Sequence, residues 1–412
     1  MENNLFTFSK FKIRFEDLLW FSLFFFLPIQ PKWITLIFIL IFLVFMVRVL
    51  FKDQKINTRF STFKQHYGGL TYPLVGMFLF EVMHFIGMLY SDNQGFGWFD
   101  VSVKIMFMLV PLYLFFHLVS HISWAIWGFL GGCILIVFIN ALWYFYPDYF
   151  HVLEADRITF SKLIHRTYFG LLLNMGLIFL FFKHRIPLGV FILGFPILAL
   201  GIMLSMSKAA VISLILVSLF GVVHLILRKK WIFVAYMAFL PLLYFVLPVD
   251  QLFQSTLGRF QSVQEVKLHE VDKSSVESNA ARKFTWHASL EVIKEHPIFG
   301  VGTGDVKDKL TQKQIDLGYL GIAKERLNSH NQYLNTWISI GLFGLFFLSM
   351  FTAVASLSSL IKKNGLYLTF FVLISFNALF ESIFEVQAGI YAFCFGLCLI
   401  HFIHQDNTIT TR

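Results

Sequence analysis

Charge is scarce in this chain: 14% of its 412 residues are Asp, Glu, Lys or Arg, against 57% that are hydrophobic. That shortage excludes a soluble domain of this length, which could not hide so much apolar surface, and leaves lipid as the main surroundings. Cysteine is scarcer still, with Cys133, Cys394 and Cys398 as the only three, all inside apolar runs. With none in the long polar segment, a disulfide framework and a zinc spacing are both excluded. Cys394 and Cys398, four apart on one helix face, read as small packing residues. Heptads, solenoid repeats and low-complexity tracts are missing, and no repeated halves of the kind found in many transporters are visible. No Asp-x-Asp pattern or His/Asp/Glu cluster in the polar segment calls for a metal, and no cofactor is expected.

What the chain has in excess is apolar side chain, with Phe alone contributing 53 residues. At ~20 residues for each crossing, about twelve hydrophobic runs lie near 17–30, 32–51, 70–90, 104–121, 122–146, 167–183, 187–205, 209–227, 231–249, 334–360, 366–383 and 388–404. Backbone groups in lipid need internal partners, so these runs are expected to be helices. The first follows Lys10, Lys12 and Arg14 as a signal peptide would. No small-residue cleavage site follows it and a second run begins at once, so it is expected to be a retained first helix. Basic clusters around Lys10–Arg14, Arg48–Lys64, Lys183/Arg185, Arg228–Lys230 and Lys362/Lys363 all fall on one side if the helices alternate. That side is the cytoplasm, with both termini in it.

One outward segment, 250–333, contains no span and carries eleven acidic and eleven basic residues. The net charge of +9 therefore resides in the cytoplasmic anchors and is no sign of a nucleic-acid partner. The expected organisation is an all-α polytopic membrane protein: nine helices over 1–249, a large outer loop over 250–333 with amphipathic helices, and three helices with a short tail over 334–412.

Polar features gather at the outer face. Lys208 sits in a very short outer connection, 205–208, and reads either as a headgroup anchor or as a functional cation. The same two readings apply to Arg166, with Tyr168 as an interface anchor. Within the loop, 280–295 reads as an amphipathic helix with Trp286, Leu290 and Ile293 on one face, Arg282 a turn ahead, and Pro297 as the stop. The following GVGTGD permits a tight turn whose amides could hold phosphate oxygens or simply connect two elements. At the end of the loop, a helix from Ser329 would put His330, Tyr333 and Trp337 on one face and Asn331 and Asn335 on a neighbouring one. Ser329 is then a candidate cap. Inside spans, Glu81 and His84 could pair, and Glu381 and Glu385 stand one turn apart near an outer end. His117 and His224 read as interface residues near cytoplasmic ends.

The outer compartment has no nucleotide pool, so a transferase there needs a substrate activated in the membrane. A lipid-linked pyrophosphate suits clustered Arg and Lys, and it is a competent leaving group. Deprotonation of an acceptor hydroxyl remains, which a histidine can perform. A transporter or flippase for lipid-linked sugars would need similar cations but no base beside them.

The chain resembles the O-antigen ligase and O-antigen polymerase superfamily of bacterial membrane glycosyltransferases. ARKFTWHASLEVIKEHPIFGVGTGD is similar to that family's Arg-x3-Trp and Pro-x-x-Gly-x-Gly pattern, and SHNQYLNTWISIGLFGL to its His-Asn-x-Tyr-Leu and Gly-x-x-Gly pattern. HRTYFGLLLN and ESIFEVQAGI look like weaker family blocks. The resemblance implies a GT-C-like helical fold in the inner membrane and an undecaprenyl-pyrophosphate-linked glycan donor. It also implies metal-independent, inverting transfer on the periplasmic side, to lipid A-core or another glycan. Carried across, His330 would be the catalytic base and Arg282 the essential loop arginine. Lys208 stands where ligases usually carry arginine, keeping the charge without the bidentate fork. Arg166, Asn331, Tyr333, Gly300 and Gly302 would bind pyrophosphate or glycan, with Glu381, Asn335 and Arg259 in support. The single large outer loop late in the chain suits a ligase, with a polymerase as the alternative.

Overall fold

The computed structural model describes residues 7–8, 11–12, 15–52, 55–119, 123–146, 161, 163–239 and 278–410. Arg259 lies outside the described residues. Among the described residues the chain is helical apart from one antiparallel pair, Thr7–Phe8 with Phe11–Lys12. In chain order the helices begin with α1 (Phe15–Phe26), α2 (Lys32–Leu50), α3 (Phe60–Tyr67), α4 (Thr71–Met88), α5 (Gln94–Lys104) and α6 (Met106–Phe116). Next come α7 (Ser123–Phe145), α8 (Arg166–Phe182), α9 (Leu188–Leu204), α10 (Lys208–Leu227) and α11 (Trp231–Phe239). The loop supplies α12 (Ser278–Glu295), α13 (Val306–Asp316) and α14 (Leu320–Lys324), and the chain ends with α15 (Gln332–Phe351), α16 (Ala353–Ile361), α17 (Gly365–Phe380) and α18 (Gln387–Thr410).

A described helix overlaps each predicted run, though 240–249 of the ninth lies outside the described residues, and seven segments are long and apolar enough to cross a membrane among the described residues. Two of the seven differ from expectation: Phe60–Met88 begins well before residue 70, and Gln94–Phe116 takes in α5, expected to be loop. α8, α9 and α17 are apolar but shorter. The 17 residues of α8 rise only about 26 Å, just under a ~30 Å hydrocarbon core. None of α12, α13 and α14 is a candidate span.

The chain divides into two compact units. One holds the described residues of 7–67, 113–239 and 391–410, the other those of 68–112 and 278–390. In the first, α1 packs on α7 and α2, and α8 packs on α9 and α10. α8 is buried over its whole circumference from Thr167 to Phe182. Asn174 within it donates to the carbonyls of Gly170 at 2.8 Å and Ala210 at 3.1 Å, tying α8 to the start of α10. A polar side chain in an apolar helix is tolerated because backbone carbonyls satisfy it. His117 is buried, with Nε2 3.1 Å from Glu16, whose carboxylate also meets Arg48 at 2.5 Å. Tyr168 is likewise buried, not an exposed anchor.

In the second unit, α4 packs along α15 and α17 along α16, while α12 packs on α13 and α15. α12 appears where expected, but its buried stripe is Ala281, Phe284, Ala288 and Val292. Of the predicted face, Ile293 is buried while Leu290 is exposed. The reason is a small core that the sequence pattern did not reveal: Ala288, Val292 and Ile293 meet Val301, Leu310 and Ile338. One turn earlier on α12, Phe284 meets Tyr319 and Ile322 at the start of α14.

The helix α15 breaks at Ile340 and Gly341, where the dihedrals leave the helical region. A break inside an apolar helix frees carbonyls and amides that lipid cannot satisfy. Here the segment after α12 satisfies them. Val301 N–H donates to the Ile338 carbonyl at 2.8 Å, Gly302 N–H to the Ser339 carbonyl at 3.0 Å, and Leu342 N–H to the Ile298 carbonyl at 3.0 Å. Gly300 (φ +72°) and Gly341 (φ +66°) face each other's strands at this contact, and a Cβ on either would collide with backbone. The two glycine motifs are thus the two halves of one joint.

Candidate functional site

His330 lies just before α15 rather than inside it. The helix starts at Gln332 with Asn331 as its cap, whose side-chain oxygen accepts from the amides of Tyr333 at 2.9 Å and Leu334 at 3.1 Å. Ser329, expected as the cap, is buried and donates to Asn335 Oδ1 at 3.1 Å. His330, Tyr333 and Trp337 therefore do not share a helical face. Histidine is among the residues that tolerate a left-handed backbone, and His330 adopts one at φ +45°. Asn328 Oδ1 accepts its N–H at 2.9 Å, which holds the turn. A sparsely populated backbone of this kind costs about 1–3 kcal/mol and persists where surroundings enforce it.

The ring is oriented by Glu381. His330 Nδ1 is 3.1 Å from Glu381 Oε1, and the two side chains are 28% and 13% exposed. Glu381 is not on a span: α17 ends at Phe380, and Glu381 is its extended C-terminal cap at φ −151° and ψ 146°. Four residues on, Glu385 closes a short 3-10 turn, Ile383–Glu385. Its carboxylate accepts from Lys104 Nζ at 2.7 Å and from Gln332 Nε2 at 2.9 Å. Lys104 also meets Asp100 at 2.5 Å, so one buried ammonium joins two carboxylates. Burial alone would raise the Glu385 carboxyl. The Lys104 charge and hydrogen bond, with Gln332, outweigh it and hold the group below the ordinary carboxylate range.

His330, Asp100 and Glu385 line one cavity of about 340 Å³ together with Asn335, Phe96 and Phe99. Two cations, Lys307 and Arg326, stand on the same wall. Arg326 pairs with Asp308, whose carboxyl is held below its usual range first by the Asn93 amide and then by Arg326. Polar acceptors, aromatic rings and a histidine around a space of this size can hold a sugar ring and take a proton from it. Among the described residues no group of three or more His, Cys, Asp or Glu side chains is arranged to hold a metal.

The glycine-rich turn does not offer its amides to a ligand. Gly300 N–H donates to the His296 carbonyl, Val301 and Gly302 to α15, Gly304 to Ser91 Oγ at 2.9 Å, and Asp305 to the Gly302 carbonyl. Asp305 in turn accepts from the amides of Asp92 at 2.9 Å and Asn93 at 2.8 Å. The amides of Gly300 and Gly302, expected to meet pyrophosphate, are thus bonded within the protein, and the turn clasps α4, α5 and α15. Glu81 and His84 do not pair either. His84 Nδ1 meets its own helix at the Phe80 carbonyl, 2.9 Å away, and Glu81 is buried in α4.

Arg282 is half-buried on α12, one turn before Thr285, whose hydroxyl donates to the Arg282 carbonyl at 3.0 Å and reaches the Ser329 carbonyl at 3.5 Å. The loop helix carrying the arginine is thereby tied to the residue before His330. Tyr333 faces Thr352 and Ser375, away from the cap. In the other unit, Arg166 and Lys208 are the first residues of α8 and α10, capped by His165 and Ser207. The Asn174 bridge puts these two helix starts at the same end of the pair. Asp100, Lys104, Gln332, Lys307 and Arg326 were missed from sequence. The Asp100–Lys104 spacing of four on a helix was the one available signal, hidden by starting the fourth span at 104.

Residues 193–349 match the family model described as O-antigen ligase, a stretch that includes Lys208, Arg282 and His330 but not Arg166 or Glu381. No curated protein gives a significant match to the chain. Members of the matched family are glycosyltransferase-like enzymes, with lipid-linked glycan substrates and a membrane setting. Residues 193–349 of this multi-pass membrane protein, which hold both motif blocks, are thus similar to the O-antigen ligase family.

Proposed function

We propose that the chain moves a glycan from an undecaprenyl-pyrophosphate carrier to an acceptor hydroxyl, acting as an O-antigen ligase with lipid A-core as acceptor. The observation that carries this reading is His330 on a cavity wall with its Nδ1 3.1 Å from Glu381. A carboxylate at Nδ1 fixes the tautomer and directs Nε2 to accept a proton. In the step, the acceptor oxygen attacks the anomeric carbon while Nε2 takes its proton. The bond from that carbon to the diphosphate oxygen breaks, and the electron pair leaves with the polyprenyl pyrophosphate. Attack from the opposite face inverts the anomeric centre. Pyrophosphate departs as a stable anion, so no separate general acid is needed.

Arg282, Arg166 and Lys208 are the proposed cations for the diphosphate. Two of them stand at helix starts, where backbone dipoles add to an anion's attraction. Asn335, on the cavity wall, is proposed to meet sugar hydroxyls. The basic loops favour both termini in the cytoplasm and a periplasmic site in the inner membrane. The test is transfer from a lipid-linked glycan in membranes carrying His330→Ala or Arg282→Lys protein. Wild-type turnover in the first would remove the base, and in the second would remove the need for a bidentate contact. Products sort the acceptor: glycosylated lipid A-core supports the ligase, whereas longer lipid-linked chains would reassign the protein as a polymerase. Equilibration of lipid-linked sugar across the bilayer without transfer would make it a flippase.

A further inference from the structure

Two chain segments meet beside His330 like two sides of a ladder. On one side, His330 and Gln332 flank the cap Asn331; on the other, Glu381 and Glu385 flank the turn that follows α17. The first rung is His330 Nδ1 to Glu381 Oε1 at 3.1 Å. The second is double: Gln332 Nε2 donates to Glu385 Oε1 at 2.9 Å, and Phe384 N–H donates to Gln332 Oε1 at 2.7 Å. Gln332 is fully buried, and both its amide oxygen and its amide nitrogen bond this turn. Thr336 Oγ1, one helical turn on, also receives Nε2 at 3.2 Å. Lys104 then fastens the far carboxylate from α5, at 2.7 Å.

Glu381 itself has an extended backbone at the end of a helix, and the Ser382 N–H donates to its Oε1 at 3.3 Å. Its neighbour four residues on is held from two helices at once. A carboxylate so placed can be aimed at a ring only if the segment carrying it is fixed.

We propose that Gln332, locked to the Lys104–Glu385 ion pair, is a positioning residue that holds Glu381 against His330. It touches no reacting atom. This inference rests on the reading of His330 as the base, and its test separates the two. The charged groups around the ring are Glu381 on the facing turn, and Lys307, Arg326, Asp100 and Glu385 on the cavity wall.

The experiment reads the His330 ring tautomer from ¹⁵N spectra of the histidine-labelled full-length protein in membranes at one fixed pH, with His330→Ala identifying the signals. Glu381→Ala sets the scale, with the Nδ1–H form expected to lose its dominance. Gln332→Met keeps the volume and cuts the second rung, and should move the tautomer ratio the same way by at least half as much. In transfer assays it should lower kcat about tenfold and leave KM within twofold, since binding groups are untouched. A wild-type ratio in Gln332→Met overturns the proposal. If that variant is not monodisperse, Gln332→Asn replaces it, one methylene too short to reach Glu385 and Phe384 together, under the same criterion. A shifted ratio in a protein without transferase activity would keep the ladder and remove the catalytic reading. An unshifted ratio with His330→Ala inactive would do the reverse.

Discussion

Two turns in the same unit both bend through positive φ and both pack at the start or the break of α15, yet they do different work. The Gly300–Asp305 turn directs the amides of Gly300, Val301, Gly302, Gly304 and Asp305 into the protein, and Gly300 and Gly302 accept positive-φ conformations a side chain would obstruct. The Asn328–Asn331 turn also uses its amides internally, but it leaves an imidazole on a cavity wall with one nitrogen aimed at a carboxylate. A glycine-rich run is the more familiar sign of an anion site, and here it is the structural partner. A lone histidine before a helix is the more familiar bystander, and here it faces the cavity. What separates them is where the hydrogen-bonding groups end, which residue type alone does not specify.

The sharpest way to break this contrast is at its two centres. His330→Ala is expected to cut glycan transfer at least about 100-fold, the ordinary contribution of a general base, with thermal stability in detergent close to wild type. A parallel collapse of stability would make His330 a structural residue and erase the distinction. Gly341→Ala is expected to do the opposite. Its Cβ would sit inside the Ile298 carbonyl at φ +66°, and the backbone strain alone is worth about 1–3 kcal/mol. Little folded protein should be recovered, and what is recovered should transfer at near the normal rate per molecule. A stable but inactive Gly341→Ala protein would move the joint into the chemistry.

Glu381→Gln comes next in size. Transfer should fall about tenfold or more, since a hydrogen bond to a charged group is worth about 1.5–3 kcal/mol. Wild-type turnover would detach Glu381 from the ring.

Much of the helical plan was legible because lipid imposes a strong rule: apolar runs near Trp124–Phe145, Lys208–Leu227 and Gln387–Thr408 could hardly be anything but helices. Lys208 and Arg166 were legible as helix starts for the same reason. His330 was legible through its motif. Its conformation was not, because Asn331 took the cap from Ser329 and pushed the ring off the helix. Glu385 was visible as a buried charge, but its partners were not. Lys104 and Gln332 are distant in sequence, and pairing across chain distances leaves no local trace. The α12 face was misread for a related reason. Trp286 and Leu290 are the larger apolar residues, yet the small Ala281 and Ala288 face the core because neighbouring elements approach closely there.

The smallest expected effect tests the clasp without disturbing its backbone. Asp305 precedes α13 but does not cap it; its two oxygens accept from the amides of Asp92 and Asn93, and so fix the connection between α4 and α5. Asp305→Asn keeps the shape and one acceptor oxygen, and turns an amino group toward an amide that needs an acceptor. Losing one charge-assisted bond of this kind costs about 1–3 kcal/mol, so melting in detergent should fall by a few degrees. Transfer per folded molecule should stay near wild type, because the turn's amides already point into the protein. If Asp305→Asn instead lost transfer at unchanged stability, the clasp would be contacting substrate, and the division of labour between the two turns would have to be redrawn around both.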